Sequence, residues 1–281
     1  MRSIHDVSAP AKLNLFLHIN ARRDDGYHLL QSVFMLIDWC DTLHFDRRDD
    51  GAITREDLTA ALPEDDLVMR AARALQQASG TNAGAHIAID KQIPAQAGMG
   101  GGSSDAASTL LALNRLWNLN WPLAQLLPLG LRLGADVPFF LGGHNAWVEG
   151  IGEKITPITL PLRRFVVLKP SVGVETAQIF RHPDLRRDSE TATMPVFAVD
   201  PYGFGRNDLQ PVARALCPEI DEALAWLGSF GLRPRMTGSG SAVFAQLPDG
   251  MLIGSAPHNW QMRICSNMAV HPQAGWAASE S

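Results

Sequence analysis

The stretch that most limits what this chain can become is Pro94-Ala95-Gln96-Ala97-Gly98-Met99-Gly100-Gly101-Gly102-Ser103-Ser104-Asp105. Four of the five residues from 98 to 102 are glycine, so the run favours neither a regular helix nor a strand, since glycine has the most backbone freedom to lose. It follows Ala85–Asp90, which reads as a strand. It leads into a helix that opens with Ser103-Ser104-Asp105 and carries Ala106, Leu110, Leu113 and Trp117 on one face. Strand, glycine turn and helix start together make an anion site. The glycines admit a phosphate chain without a Cβ clash, and the first helical turn offers unpaired N–H donors at its positive end. Ser103 and Ser104 add hydroxyls for phosphate or for phosphate-bound Mg²⁺. A flexible loop with a Ser/Asp cap is the competing reading, and the strand-and-helix setting disfavours it.

The loop fits none of the commonest phosphate motifs. A P-loop needs a lysine after its second glycine, and none is present. A dinucleotide fingerprint built on Gly98 and Gly100 needs glycine at 103, where Ser103 stands. The His-Arg-Asp and Asp-Phe-Gly signatures of protein kinases are absent from the sequence.

Charge narrows the ligand. A net charge of −5, from 24 basic and 29 acidic residues, argues against a general nucleic-acid surface, which needs cations to displace counterions. It leaves room for a small phosphorylated ligand held by backbone amides. Only four of the basic residues are lysines: Lys12, Lys91, Lys154 and Lys169. Cys40, Cys217 and Cys265 form neither a disulfide framework nor a metal knuckle. The nine histidines lack zinc spacing. With no run long enough to span a membrane and no signal-like N-terminus, a cytoplasmic protein without membrane partners is expected.

Residues 11–19 alternate, with Ala11, Leu13, Leu15, Leu17 and Ile19 on one face and Lys12, Asn14, Phe16 and His18 on the other, which reads as a half-buried strand. Arg22–Gly26 is a turn. Leu30–Trp39 and Asp41–Arg47 read as further β-structure, and Asp65-Asp66 precedes a helical stripe of Leu67, Val68, Ala71, Ala72 and Leu75. Another helix runs to about Gly134. A strand at Phe165–Leu168, an irregular stretch over 182–208, a helix at Pro218–Phe230 and a second glycine run, Thr237-Gly238-Ser239-Gly240-Ser241-Ala242, follow. The tail from His271 to Ser281 reads as frayed. Strands and helices mix without strict alternation, which favours α+β. A length of 281 residues fits two modest domains. The proline-punctuated section around Pro157 and Pro161 places their boundary near residue 158, giving 1–158 and 159–281.

The loop from Pro94 to Ser104 resembles the Pro-x-x-x-Gly-Leu-Gly-Gly-Gly-Ser-Ser motif of the galactokinase, homoserine kinase, mevalonate kinase and phosphomevalonate kinase superfamily, with Met99 in place of the usual leucine. Pro10-Ala11-Lys12-Leu13-Asn14-Leu15 is similar to its N-terminal motif and Thr237–Ala242 to its third motif. Asp25-Gly26-Tyr27-His28, Gly134-Ala135-Asp136-Val137-Pro138 and Ile179-Phe180-x-x-Pro183 resemble the branch that phosphorylates a cytidine-diphosphate-linked sugar alcohol of non-mevalonate isoprenoid synthesis.

The resemblance implies an α+β two-domain small-molecule kinase fold. Its N-terminal domain would be ribosomal-protein-S5-like and bind ATP, its C-terminal domain ferredoxin-like, and the active site would lie in the cleft between them. Asp136 would take the proton of the attacking hydroxyl, with Lys12 beside it lowering the pKa of that hydroxyl. The loop residues Pro94 to Ser104 and Lys91 would meet ATP. Asn14, Tyr27, His28, Phe180 and Thr176 would meet the acceptor, with stacking on its cytosine and Asn207 as support. Mg²⁺ is implied without assigned ligands, and a monomer or weak homodimer is expected. Asp65-Asp66-Leu67 stands where the family often has Asp-Asn-Leu, which exchanges an amide donor for a carboxylate at 66. Two alternatives remain: a sister kinase for homoserine or mevalonate, disfavoured by Tyr27-His28 and Phe180, and a non-catalytic nucleotide-binding module, disfavoured by Lys12 with Asp136.

Overall fold

The computed structural model describes residues 1–257 and 260–278. The first half is a sheet organised around one long strand. Strand β1 (Ser3–Arg22) turns through a short hairpin into β2 (His28–Arg48), and the two pair antiparallel over almost their full length. Along its other edge β2 meets two further strands. Its start pairs with β5 (Ala146–Gly150) and its end with β4 (Gly84–Asp90). Strand β3 (Ile53–Asp57) lies parallel to β4, and β6 (Lys154–Pro157) flanks β5 antiparallel. Leu30–Trp39 and Asp41–Arg47 therefore belong to a single strand.

Helices α1 (Leu67–Ser79), α2 (Gly101–Leu116), α3 (Leu123–Leu133) and the short α4 (Val137–Gly142) pack on one face of this sheet. Asp66 starts α1 by accepting the Met69 amide at 3.0 Å, and Gly80 ends it with φ +67°. Phe34 and Leu36 of β2 point toward the helices.

The opposite face carries Leu13, Val33, Met35, Ile37 and Trp39 and packs on a second sheet. That sheet is antiparallel throughout, in the order β10 (Gln261–Ser266), β7 (Arg164–Lys169), β9 (Val243–Leu247), β8 (Arg235–Met236). Phe165 and Val167 of β7 face the first sheet. Val166 and Leu168 face α5 (Thr176–Arg181), α7 (Gln210–Leu216) and α8 (Pro218–Gly228). Between α5 and α7 the chain is mostly irregular, with one short helix, α6 (Met194–Val199).

Two expectations need correction. The period-2 pattern of residues 11–19 is present, but the strand is buried on both faces because the second sheet covers the side that would otherwise meet water. The described part of the tail is docked rather than frayed. His271 donates its amide to Gly143 O at 2.8 Å, and the Gln273 side chain donates to Ser8 O at 2.9 Å. Residues 279–281 of the expected frayed stretch lie outside the described residues.

His271 is buried, and that burial pushes its pKa down to about 4. The unfolded chain, with a histidine pKa of about 6.5, takes up the proton first as pH falls. The stabilisation from a neutral His271 is complete above that value and is lost as pH falls toward 4. The loss amounts to about 2 kcal/mol by pH 5. Urea midpoints at pH 7 and pH 5 check this: His271→Gln should show a flatter pH dependence than the parent chain.

Candidate active site

The two glycine loops meet, one from each sheet's half of the chain. Gly98 has φ +70°, and a Cβ there would fall 2.3 Å from Thr237 O and 2.8 Å from Gly240 N. Gly238 presses back, its Cβ position 2.6 Å from Gly98 O. Backbone bonds from Ser241 N to Gln96 O (3.1 Å) and from Ala242 N to Ala97 O (3.3 Å) lock the contact. Only glycine lets two main chains approach this closely.

Beside this contact lies a cavity of about 890 Å³. Residues Pro94 to Gly102 line it, together with Lys12, Asn14, Asp136, Thr176, Phe180 and Ser239. Lys12 sits on β1 between two register shifts, at Pro10/Ala11 and Asn14/Leu17, and such bulges re-aim side chains. Its amide donates to Met99 O at 2.9 Å, tying the strand to the loop. Its ammonium lies 3.6 Å from Asp136 Oδ2, donates to Asn14 Oδ1 and stands 4.7 Å over the Phe34 ring. Burial lowers the Lys12 pKa, opposed by the charge of Asp136. Asn14 is itself fixed: its side chain donates to Ser32 Oγ at 2.9 Å and its amide to Thr237 Oγ1 at 2.8 Å. Asp136 ends the turn after α3 and immediately precedes α4, in the half-exposed position that Gly134 and Pro138 give it.

The remaining candidates are distributed unevenly. Lys91 lines the cavity, but its ammonium is held by two buried carboxylates, Asp41 and Asp105. Burial alone would lower the Lys91 pKa; the two carboxylates outweigh it and raise it. The Asp105 carboxyl is raised well above the usual range by burial and by Asp41 beside it. Asp41 also accepts the amides of Gln92 and Ile93, so this cluster joins the two ends of the glycine loop. Helix α2 begins at Gly101, two residues before Ser103, and Ser103 and Ser104 do not line the cavity; Ser104 is fully buried. Tyr27 and His28 stand outside the wall. Tyr27 is 61% exposed, while the His28 ring packs on Phe180 at 5.1 Å and accepts from Arg187 Nε at 3.1 Å. Thr176 Oγ1 bonds Ser239 Oγ at 2.6 Å, and Asn207 donates to Met236 O and Gly238 O, bracing the second glycine loop. Asp66 reaches the wall with Oδ1 taken by Met69 N and by Arg55, 2.5 Å away.

Known proteins match this arrangement. Residues 66–144 match the GHMP kinases N terminal domain and residues 202–254 the GHMP kinases C terminal domain. A 4-diphosphocytidyl-2-C-methyl-D-erythritol kinase of Albidiferax ferrireducens is 66% identical over 280 residues, spanning 100% of this chain and 98% of its own. The chain belongs to the 4-diphosphocytidyl-2-C-methyl-D-erythritol kinase family. Another relative of that name, from Delftia acidovorans, is 64% identical over all of both chains. A crystal structure of a 4-(cytidine 5'-diphospho)-2C-methyl-D-erythritol kinase superposes with TM-score 0.73 at 36% identity, covering 85% of this chain and 88% of that one. Homoserine kinase from Cytophaga hutchinsonii reaches 0.67 at 16% identity, over 96% of each, and shares the fold. The two-domain α+β architecture of the GHMP kinases is thus established for this family member.

Nothing in the sequence marks Asp41 as a partner of Lys91, and Asp105 and Thr237 stand out there only as parts of the helix start and of the second glycine run. The scarcity of lysine was the available signal: a rare lysine at a strand end beside a phosphate loop calls for buried acidic partners. The loop contact makes a direct test. Gly98→Ala forces the loops apart and strains a left-handed residue, so it should destabilise the chain by on the order of 2 kcal/mol. Gly228→Ala, whose Cβ meets nothing within 4 Å, should leave the urea midpoint nearly unchanged.

Proposed function

We propose that this chain transfers the γ-phosphoryl group of ATP to the 2-hydroxyl of 4-diphosphocytidyl-2-C-methyl-D-erythritol, a step of the methylerythritol phosphate route to isoprenoids. The observation that carries the reading is the Lys12–Asp136 pair, 3.6 Å apart, on the wall of the cavity that the glycine loop lines. Phosphoryl transfer to an alcohol is mainly a matter of positioning and charge neutralisation. Asp136 accepts the hydroxyl proton. Lys12, held by Asn14, lowers the pKa of that hydroxyl and stabilises the alkoxide that forms. The amides of the loop and of the start of α2 bear on the phosphate chain, where fixed donors act without reorganising.

ATP is the donor, and Mg²⁺ accompanies it. With Asp136 engaged by the hydroxyl and Lys12, Glu175 is the hard oxygen donor in the wall that would hold Mg²⁺, which is satisfied by one or two carboxylates when phosphate oxygens and water supply the rest. Bound there, it would neutralise charge on the transferring group. Phe180 and Thr176, which line the same cavity, receive the cytidyl end, with the His28 ring packed on that of Phe180 and Tyr27 reaching the ligand from outside. Lys91 acts on the nucleotide by holding the loop's ends. Ser103 bears on the turn before Asp136, since its Oγ lies 3.7 Å from the Cβ position of Gly134, and the Ser104 amide closes the first helical turn on Gly100 O at 2.9 Å.

The same reading assigns an S5-like fold to residues 1–158 and a ferredoxin-like fold to 159–281, with catalysis between them. The last strand of one sheet ends at Pro157 and the first of the other begins at Arg164, which supports that division. No described helix is long and apolar enough to cross a membrane. The protein works in the cytoplasm as a monomer or weak homodimer without nucleic-acid partners.

ADP release, measured with ATP, Mg²⁺ and the cytidyl substrate, tests the reading. Release should depend on that substrate and be absent with homoserine or mevalonate. Asp136→Asn should lower kcat by roughly a hundredfold to ten-thousandfold while ATP still binds. Full turnover by that variant would overturn the role of Asp136.

A further inference from the structure

The edge of β2 opposite β1 has a gap. Phe34 pairs with Ala146 of β5 and Thr42 with Asp90 of β4, but the residues between them have no strand on that side. The segment after β10 fills it. Asn267 bridges Ile37, Met268 donates its amide to Leu36 O at 2.9 Å, and Asn145 joins both by accepting from Leu36 N and donating to Met268 O, each at 2.8 Å. The chain then bridges His144 through Val270 and runs across the end of α4.

That crossing is tight. His271 N donates to Gly143 O at 2.8 Å, and a Cβ on Gly143, whose φ is +74°, would lie 3.3 Å from Ala274 Cβ and 3.4 Å from His271 Cβ. Gln273 fastens the segment at two more points, donating to Ser8 O on β1 and accepting from Ser108 Oγ on α2 at 3.2 Å. Ala278 N bonds Trp121 O at 3.1 Å, and the Arg115 guanidinium covers the Trp276 ring at 4.8 Å.

Helix α4 has only six residues, too few to hold its own geometry, so its place is set by what packs around it. Asp136 is the residue before its first turn. Phe140, one turn further on, stands between the tail and the loop: its ring is 6.4 Å from the His271 ring, and its edge is 3.0 Å from the Cβ position of Gly100. Lys12 Cε lies 3.3 Å from that same point. We infer that residues 271–278 act as a strap that positions α4, and through it sets Asp136 and Gly100 in register with Lys12. The strap touches no substrate, and its residues are positioning residues. This rests on the phosphoryl-transfer reading above for its kinetic part only.

Two variants test it. A chain ended after Val270 keeps the sheet-filling residues and loses the strap; Gln273→Ala cuts the ties to Ser8 and Ser108 in a full-length chain. Because a misplacement of about 1 Å can cost a hundredfold in rate, the truncated chain should lose roughly tenfold to a hundredfold in kcat, and Gln273→Ala a smaller factor, with KM for both substrates within about twofold. A synthetic peptide of residues 271–281 added in trans should restore kcat to the truncated chain. Amide hydrogen exchange over residues 136–142, which needs no turnover, should quicken in both variants. Unchanged exchange there overturns the strap whatever the activity. So does a lowered melting temperature with parental kcat, or a KM that rises while kcat holds. If the truncated chain does not fold, Gln273→Ala decides by the same readouts. An inactive parent chain with quickened exchange in the variants would instead reject the phosphoryl-transfer reading and leave the strap standing.

Discussion

The contact between the two glycine loops is the constraint on which the rest depends. Gly98 and Gly238 bring two stretches of backbone together at a separation that excludes any side chain. That contact fixes how the helix-covered sheet faces the second sheet at the cavity. It also positions Lys12, whose amide is bonded to Met99 in one loop, and Asn14, whose amide is bonded to Thr237 at the start of the other. The strand that carries the buried lysine is thus stitched to both loops within three residues of chain.

Charge is managed locally in the same small volume. The chain carries a net charge of −5, and acidic groups outnumber ammonium groups around the cavity, with Asp66, Asp105, Asp136 and Glu175 against Lys12 and Lys91. Arg55 holds Asp66, Lys91 holds Asp105 and Lys12 stands beside Asp136, so three of the four carboxylates already have a cation. Backbone donors at the glycine loop add positive potential there without adding basic side chains.

The parts of this site legible in the sequence were those where chemistry demands an unusual residue type. The glycine runs, Lys12 and the Gly-Ala-Asp-Val-Pro turn around Asp136 all stand out because no ordinary packing role needs them together. What stayed hidden was created by tertiary packing. The alternation of residues 11–19 is compatible with one wet face or with two dry ones, and only the presence of a second sheet decides. Asp41 and Asp105 lie 64 residues apart in sequence and read as ordinary surface acids until Lys91 comes between them. The tail from His271 reads as frayed because no pattern of its own ties it to another element. Its order comes from Gly143 and Ser8, positions that no local pattern connects to it.

The placement of Asn267 and Met268 has a consequence for how the molecule is made. The strand at the centre of the first sheet lacks its full set of hydrogen bonds until a segment that lies beyond every strand of the second sheet has been added. Synthesis proceeds from the N-terminus, and domains ordinarily close in that order. Here the first half waits for the last, leaving the middle of β2 an open edge through most of translation, and such edges invite pairing with other chains. The two halves are separate as folds but mature as one unit.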